Sequence, residues 1–342
     1  MQEFLNVEAG ISKAFQTNAA GPVNGAAEAQ LATAVLMIRP VRFVSNPLTA
    51  ASNRFQGKST LDAAAQNRHA QQEFDALAAA LRAAGIEVIV IDDNDEPHTP
   101  DSIFPNNWVS FHSDGRAVLY PMEAENRRPE RRADVLQGLV RDHEFAITEV
   151  VDLSRYEESG RFLEGTGSLV LDRPNRIAYA CLSTRTHLDP LGEFSQRMDY
   201  EICAFEAVDL EGLPIYHTNV VMNIGEELAV ICAEAIVDAA QRDAVLQSLA
   251  NTGHEVLQLS FAQLAAFAGN MLELRALRDD GRSNRLIALS QQAYDALNDP
   301  QLALLQNNGQ VVTVNIPVIE ASAGGSVRCM LAEVHLPSTK KT

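Results

Sequence analysis

Of the four cysteines in the chain, at positions 181, 203, 232 and 329, the last has the neighbours of a reactive thiol. In Ala323-Gly324-Gly325-Ser326-Val327-Arg328-Cys329-Met330 two glycines precede it, and an apolar run read as a strand from Arg328 to Leu336 carries it. Glycine lets a backbone come close to a ligand. A thiol becomes a strong nucleophile once deprotonated, and a nearby cation or histidine, with Arg328 the adjacent candidate, lowers its pKa toward neutrality. A small buried core residue is the competing reading of Cys329.

A nucleophile of this kind needs a proton carrier and polar groups that hold the substrate. His217, in Ile215-Tyr216-His217-Thr218-Asn219-Val220, falls in a segment read as a strand, where alternate residues share a face. His217 and Asn219 would then reach one substrate from one side, the first moving protons and the second holding polar atoms. Glu164, in Phe162-Leu163-Glu164-Gly165-Thr166-Gly167-Ser168, is a carboxylate at a strand entrance, able to orient an imidazole and stabilise its charged form. Asp101-Ser102-Ile103-Phe104-Pro105-Asn106-Asn107-Trp108 brings a carboxylate, two amides and the single tryptophan before another strand. Arg185, flanked by hydroxyls in Ser183-Thr184-Arg185-Thr186, suits a carboxylate through paired N–H bonds. Each has an ordinary alternative: a hydrogen-bonded structural histidine, a turn acid, an asparagine turn or a surface arginine.

The elements that must position these residues alternate short apolar runs with helical patterns. Ala34 to Ile38 and Ile86 to Ile91 read as strands flanking a helix near 67–84, whose Phe74, Leu77 and Leu81 share a face and whose end is marked by Gly85. Comparable runs follow near 108–111, 117–120, 168–171, 176–181, 215–222, 228–231, 256–259, 271–274, 286–289, 311–315 and 328–336, with helices near 129–142 and 233–250. This is mixed α/β, built from two strands, a helix and another strand repeated without a linker. Residues 1–33 read as an N-terminal extension that packs loosely or contributes one short helix, and 34–337 as one catalytic domain. No GxGxxG or GxxxxGK[ST] sequence joins a strand to a helix, which removes support for a phosphate cofactor.

With 46% apolar residues in 342, the chain can bury a full core, and its apolar runs are far shorter than the roughly 20 residues of a membrane helix. A formal charge of −18, from 45 acidic and 27 basic side chains, opposes attraction to nucleic acid and anionic lipid. The cysteines show no CxxC pair or zinc-type spacing. The start, Met1 to Phe15, lacks a basic, apolar secretory pattern, so a cytoplasmic location is expected.

In the order Glu-Gly, Ser-x-Arg-Thr, His-x-Asn and Gly-Gly-x-x-x-Cys, these motifs resemble the pentein, or guanidino-group-modifying, superfamily over about Val35 to Leu336. It includes arginine deiminases, dimethylarginine dimethylaminohydrolases, glycine amidinotransferases and succinylarginine dihydrolases. The resemblance implies a five-bladed α/β propeller of ββαβ units about a pseudo-fivefold axis, with the active site in its central channel. It implies Cys329 as nucleophile, His217 as acid/base, Glu164 as the carboxylate supporting it, and Arg185 as holder of the substrate carboxylate. The chain departs from the arginine-processing pattern where Phe-x-x-Asp and His-x-Asp would supply two aspartates: here stand Asn107 and Asn219, and Glu-Gly-Gly-Asp has become Glu164-Gly165-Thr166-Gly167.

A carboxylate only accepts hydrogen bonds and suits a cation, whereas an amide both donates and accepts, as a neutral ureido group requires. Without the two carboxylates a buried guanidinium would be unpaired, at a cost of roughly several kcal/mol. The pattern is most similar to the citrulline-utilisation hydrolase branch, which converts citrulline to ornithine, carbon dioxide and ammonia without a metal or organic cofactor. Asp101 would contact that substrate or brace the Asn107 loop. Arginine deiminase, dimethylargininase or acylarginine dihydrolase activity, amidino transfer and a non-catalytic pentein binding protein are the alternatives. The expected partner is a small amino acid, with a homodimer left open.

Overall fold

The computed structural model describes residues 28–50, 52–57, 61–277 and 283–339. Within them, strands β1 (Ala34–Arg39) and β2 (Glu87–Asp92) pair in parallel. Next come β3 (Val109–Phe111), β4 (Arg116–Leu119) and β5 (Glu149–Asp152), then β6 (Leu169–Asp172), β7 (Ile177–Cys181) and β8 (Glu201–Phe205). They are followed by β9 (Met222–Ile224), β10 (Leu228–Ile231) and β11 (Glu255–Gln258), and by β12 (Leu272–Leu277), β13 (Ser283–Ser290) and β14 (Gln310–Val314). Finally β15 (Ala332–Val334) returns to pair antiparallel with β1. The result is five three-stranded sheets of one pattern, the central strand antiparallel to one neighbour and parallel to the other.

A parallel pair needs a crossover, and a helix supplies it in every sheet. These are α1 (Ala63–Ala83), α2 (Ala133–Arg141), α3 (Leu188–Met198), α4 (Ala239–Asn251) and α5 (Asp299–Asn308). Helix α1 starts four residues before its expected position, because Asp62 caps it by accepting from the Ala65 N–H at 2.8 Å. Its Phe74, Leu77 and Leu81 are buried, and Gly85 follows with φ +95, where a Cβ would stand 2.7 Å from the Leu277 carbonyl.

The apolar faces join the sheets in succession. One cluster unites Leu36 and Ile89 with Val109 and Leu119; a second unites Val118 and Val151 with Leu171 and Ala178. A third runs from Tyr179 through Val230 to Ile287, and a fourth joins Leu274 and Leu286 back to Val35 and Met37. Of the N-terminal segment read as an extension, residues 1–27 lie outside the described residues. Glu28 and Gln30 are buried, with Gln30 Nε2 donating to the Leu171 and Ile224 carbonyls, both at 3.0 Å.

Two expected strands are corrected. Residues 215–222 and 328–336 are not extended throughout: Thr218–Val221 forms one helical turn before β9, and Val327–Met330 one 3₁₀ turn before β15. These turns are buried on all sides, so neither a period of 2 nor of 3.6 marks them. Similar turns, Pro105–Asn107 and Gly165–Ser168, precede β3 and β6, and a turn closed by the Asn270 N–H on the Phe267 carbonyl precedes β12. Every sheet therefore receives its first antiparallel strand from a tight turn.

Glu28 enters a buried ion network at one end of this assembly. Its carboxylate accepts from Arg173 Nη1 at 2.7 Å and from the Tyr200 hydroxyl at 3.0 Å, with His112 Nδ1 at 3.7 Å; Glu333 meets Arg328 Nη2 at 2.7 Å and His335 Nε2 at 3.3 Å. Burial would raise the carboxyl pKa values, but Arg173 beside Glu28, and Arg328 and Arg173 beside Glu333, hold both well below the usual range. Burial pushes His112 and His335 down. All four bind protons more readily when unfolded, so stability is full above about pH 6.5 and falls as pH drops, first through the histidines and more steeply below about 4.5. Urea midpoints measured from pH 8 to 4 should decline in those two stages. Glu28→Ala, which removes the nearer of the two carboxylates beside Arg173, should cost about 3 kcal/mol at pH 7 in the same measurement.

Candidate active site

The turns that precede the strands carry the polar side chains that converge. Cys329, Asp101, Asn107, Arg185 and His217 line one narrow cavity with Thr49, Asn53, Phe104, Arg127, Tyr216, Ala323 and Gly325. Glu164 stands against His217, and Asn219 against Cys329. All seven residues singled out from the sequence thus meet in one place. His217 and Asn219 do so across a change of direction: His217 is the extended N-cap residue, φ −130 and ψ 141, and Asn219 lies in the turn it caps.

His217 Nε2 is 2.8 Å from Glu164 Oε2. Glu164 is fully buried, and burial would raise its pKa; Arg185, with Nη1 3.4 Å from Oε2, and the His217 bond outweigh this and hold it well below the carboxylate range. The Glu123 backbone N–H donates to its other oxygen at 3.0 Å. Burial pushes His217 below its ordinary pKa, against the pull of Glu164, so the imidazole is neutral at pH 7. Gly167 makes room for this pair: a Cβ there would stand 2.8 Å from His217 Nδ1 and 2.5 Å from Asn107 Nδ2.

Cys329 Sγ lies 3.5 Å from Asn219 Nδ2 and 3.3 Å from Asn270 Nδ2. Burial pushes the thiols of Cys181 and Cys232 up to about 12 and that of Cys203 to about 11, so these three stay protonated at neutral pH. Arg328 does not serve the thiol as its adjacency suggested. Its guanidinium donates to the Leu331 carbonyl at 2.9 Å and to Glu333, and lines a different cavity with Gln30 and Arg173.

The amides have defined polarity. Arg127 Nη1 donates to Asn107 Oδ1 at 2.9 Å, which fixes the carbonyl on the arginine; Nδ2, on the Gly167 side, donates one N–H to Asn106 Oδ1 at 3.1 Å and keeps the other. Arg127 itself forks onto Glu130, with both contacts at 2.9 Å. Asn219 Oδ1 and Asp101 Oδ1 are buried without a hydrogen-bond partner, while Asp101 Oδ2 accepts from Asn46 Nδ2 at 2.7 Å. Arg185 is already engaged: Nε donates to Glu123 at 3.1 Å, Nη2 to Ser52 Oγ at 2.7 Å, and its plane covers the Tyr216 ring at 4.7 Å.

Sequence reasoning missed Arg127, Asn270, Tyr216 and the Thr49–Asn53 segment. Arg127 sits in the charged run Glu125-Asn126-Arg127-Arg128-Pro129-Glu130, which reads as a solvated helix. Asn270 did leave a signal: Gly269-Asn270 precedes an apolar strand as Asn106-Asn107 does.

A family model described as N,N dimethylarginine dimethylhydrolase, eukaryotic, matches residues 39–336. A search of curated protein sequences finds no match. Among solved structures, the N-terminal domain of ArgZ, an arginine dihydrolase of the ornithine–ammonia cycle in cyanobacteria, superposes in a cysteine-to-serine variant bound to substrate. The TM-score is 0.66 at 15% identity, over 88% of this chain and 97% of that one. A ternary complex of AgrE with ornithine and NAD+ gives 0.68 at 17% identity, over 90% of this chain and 40% of that one. Dimethylarginine dimethylaminohydrolase in an adduct with S-methyl-L-thiocitrulline gives 0.58 at 14%, over 88% and 99%. The chain spans 41% of the ArgZ chain of the apo structure. At these identities the likeness is one of fold. That fold is the mixed α/β fold of the pentein superfamily of guanidino-group-modifying enzymes. Within it, the chain belongs to the N,N dimethylarginine dimethylhydrolase family, hydrolases of C–N bonds other than peptide bonds.

The packing at Gly167 gives a direct test of this geometry. Gly167→Ala must push the imidazole off Glu164 or the Asn107 amide off Arg127. It should destabilise the fold by about 1–3 kcal/mol in urea titration and lower turnover by about 100-fold.

Proposed function

We propose that the chain is a cofactor-free cysteine hydrolase acting on the ureido group of a small amino acid, citrulline, to give ornithine, carbon dioxide and ammonia. The observation that carries the substrate is the polarity of the two amides. Asn107 offers N–H to the cavity because Arg127 holds its carbonyl, and Asn219 offers a free Oδ1. A ureido group matches both, its oxygen accepting from Asn107 and its NH₂ donating to Asn219. A guanidinium, which only donates, would face the Asn107 N–H and the Arg127 charge behind it.

In this reading the Cys329 thiol gives its proton to the neutral His217 as its sulfur adds to the ureido carbon, and His217, kept in its tautomer by Glu164, delivers that proton to the leaving δ-nitrogen. Ornithine departs, leaving a carbamoyl thioester. Water, deprotonated through His217, cleaves it to carbamate, which decomposes to carbon dioxide and ammonia. One water is consumed and nothing is oxidised or reduced. Arg185 receives the substrate carboxylate by exchanging the Ser52 hydroxyl for a charged acceptor, the stronger partner. The free oxygen of Asp101 accepts from a substrate nitrogen.

The same proposal extends to the architecture: the five sheets form the blades of a propeller about a pseudo-fivefold axis, with this cavity in its channel and residues 34–337 as one catalytic domain. The succession of shared apolar clusters, from the fifth sheet back to the first, supports it.

A second reading keeps the mechanism and places arginine or N,N-dimethylarginine in the cavity, favoured by the family description and by the unpartnered Asp101 carboxylate oxygen. The two separate when purified protein is given citrulline, arginine or N,N-dimethylarginine and the release of ammonia, ornithine, citrulline and dimethylamine is followed. Citrulline should be consumed, Cys329→Ala should abolish turnover, and Asn107→Asp with Asn219→Asp should move preference toward arginine by at least tenfold. Conversion of arginine with citrulline untouched would defeat the ureido reading.

A further inference from the structure

We infer that Asn270 is a further catalytic residue, whose side-chain amide holds the Cys329 sulfur as a thiolate; this rests on Cys329 being the nucleophile. Asn270 is completely buried in the turn before β12, and the mechanism above gives its side chain no role. Its Oδ1 accepts from the Arg328 backbone N–H at 3.1 Å. A backbone N–H can only donate, so that contact fixes the amide and directs both Nδ2 hydrogens the other way. One reaches the Asn219 carbonyl at 3.0 Å and the other reaches Cys329 Sγ at the shorter distance of 3.3 Å, while the thiol in its protonated form donates to Oδ1 at 3.7 Å.

The sulfur thus receives N–H groups from two amides on different sheets, Asn270 and Asn219. Donors aimed at sulfur favour the charged form over the neutral one. The full charges near it are already committed. Arg127 is forked on Glu130, Arg185 is bound to Glu123 and Glu164, and Arg328 to Glu333. His217 is neutral, the Tyr216 hydroxyl donates to the Gly324 carbonyl at 2.6 Å, and Asp101 adds a negative charge to the cavity. With the cations spent on other partners, the amide dipoles carry the stabilisation, and Asn270 also pins the backbone of Asn219.

The test is the pH dependence of iodoacetamide alkylation at Cys329, followed by mass spectrometry in the wild-type chain, Asn270→Ala and Asn270→Asp, with Cys329→Ser as the blank. Losing one charge-assisted bond should raise the midpoint in Asn270→Ala by about one unit or more and slow alkylation by about tenfold at pH values below the wild-type midpoint. Asn270→Asp keeps the shape and the acceptor for Arg328 but puts a carboxylate beside the sulfur, so its midpoint should rise further. The acid limb of the kcat/KM profile should move by the same amount. If Asn270→Ala fails to fold, the isosteric Asn270→Asp carries the same readout. A folded variant with an unshifted thiol midpoint would overturn the assignment of Asn270 whatever its activity. A Cys329→Ala chain that still turns over would instead defeat the nucleophile reading, which the alkylation midpoint does not test.

Discussion

A carboxylate stripped of water must be neutralised or it will take a proton, and the cavity is organised around that constraint at Glu164. The residue is fully buried, yet Arg185, His217 and a backbone N–H converge on its two oxygens and keep it ionised. Each of those partners then has a second obligation. Arg185 must be balanced by Glu123 and packed on Tyr216; His217 must stay neutral, with its ring fitted over Gly167; Gly167 must lack a Cβ because Asn107 and His217 share its space. From one buried charge, the identities of residues in three different sheets follow.

Asparagine does in this cavity what no charged residue could. An amide can be turned so that one face donates and the other accepts, and its orientation is set by whichever neighbour has no choice of role. Arg127 cannot accept, so it fixes Asn107; the Arg328 backbone N–H cannot accept, so it fixes Asn270. Three such amides, at 107, 219 and 270, give the cavity directional hydrogen bonding without net charge. The arginines that line or border it are balanced by carboxylates behind them.

The α/β alternation and the capped helix ending at Gly85 were legible because α1 buries a clean stripe and Gly85 adopts a positive φ. The seven cavity residues were legible as a set because their order along the chain carries the motif, although each alone was ambiguous. What remained hidden has physical causes. Strands β5 and β8 are short and partly exposed, so alternation barely registers. The turns holding Asn219 and Cys329 are buried on every side and imitate apolar strands. Arg127 lies in a run of charges that looks solvated, yet it is one of the largest fully buried side chains. Its burial depends on Glu130 and Asn107, a pairing that only the folded chain brings about.

The pairing of β15 with β1 has a consequence for how the cavity is assembled. Cys329 stands three residues before the strand that completes the first sheet, and that strand follows the other fourteen along the sequence. Four sheets, the Glu164–His217 pair and Asn107, Asn219 and Asn270 all lie in segments that precede the thiol in the chain. The reactive group takes its place only when β15 docks against β1. Completion of the first sheet and placement of the thiol are therefore coupled, and a chain cut short before Cys329 would be inert toward thiol chemistry in its own cavity.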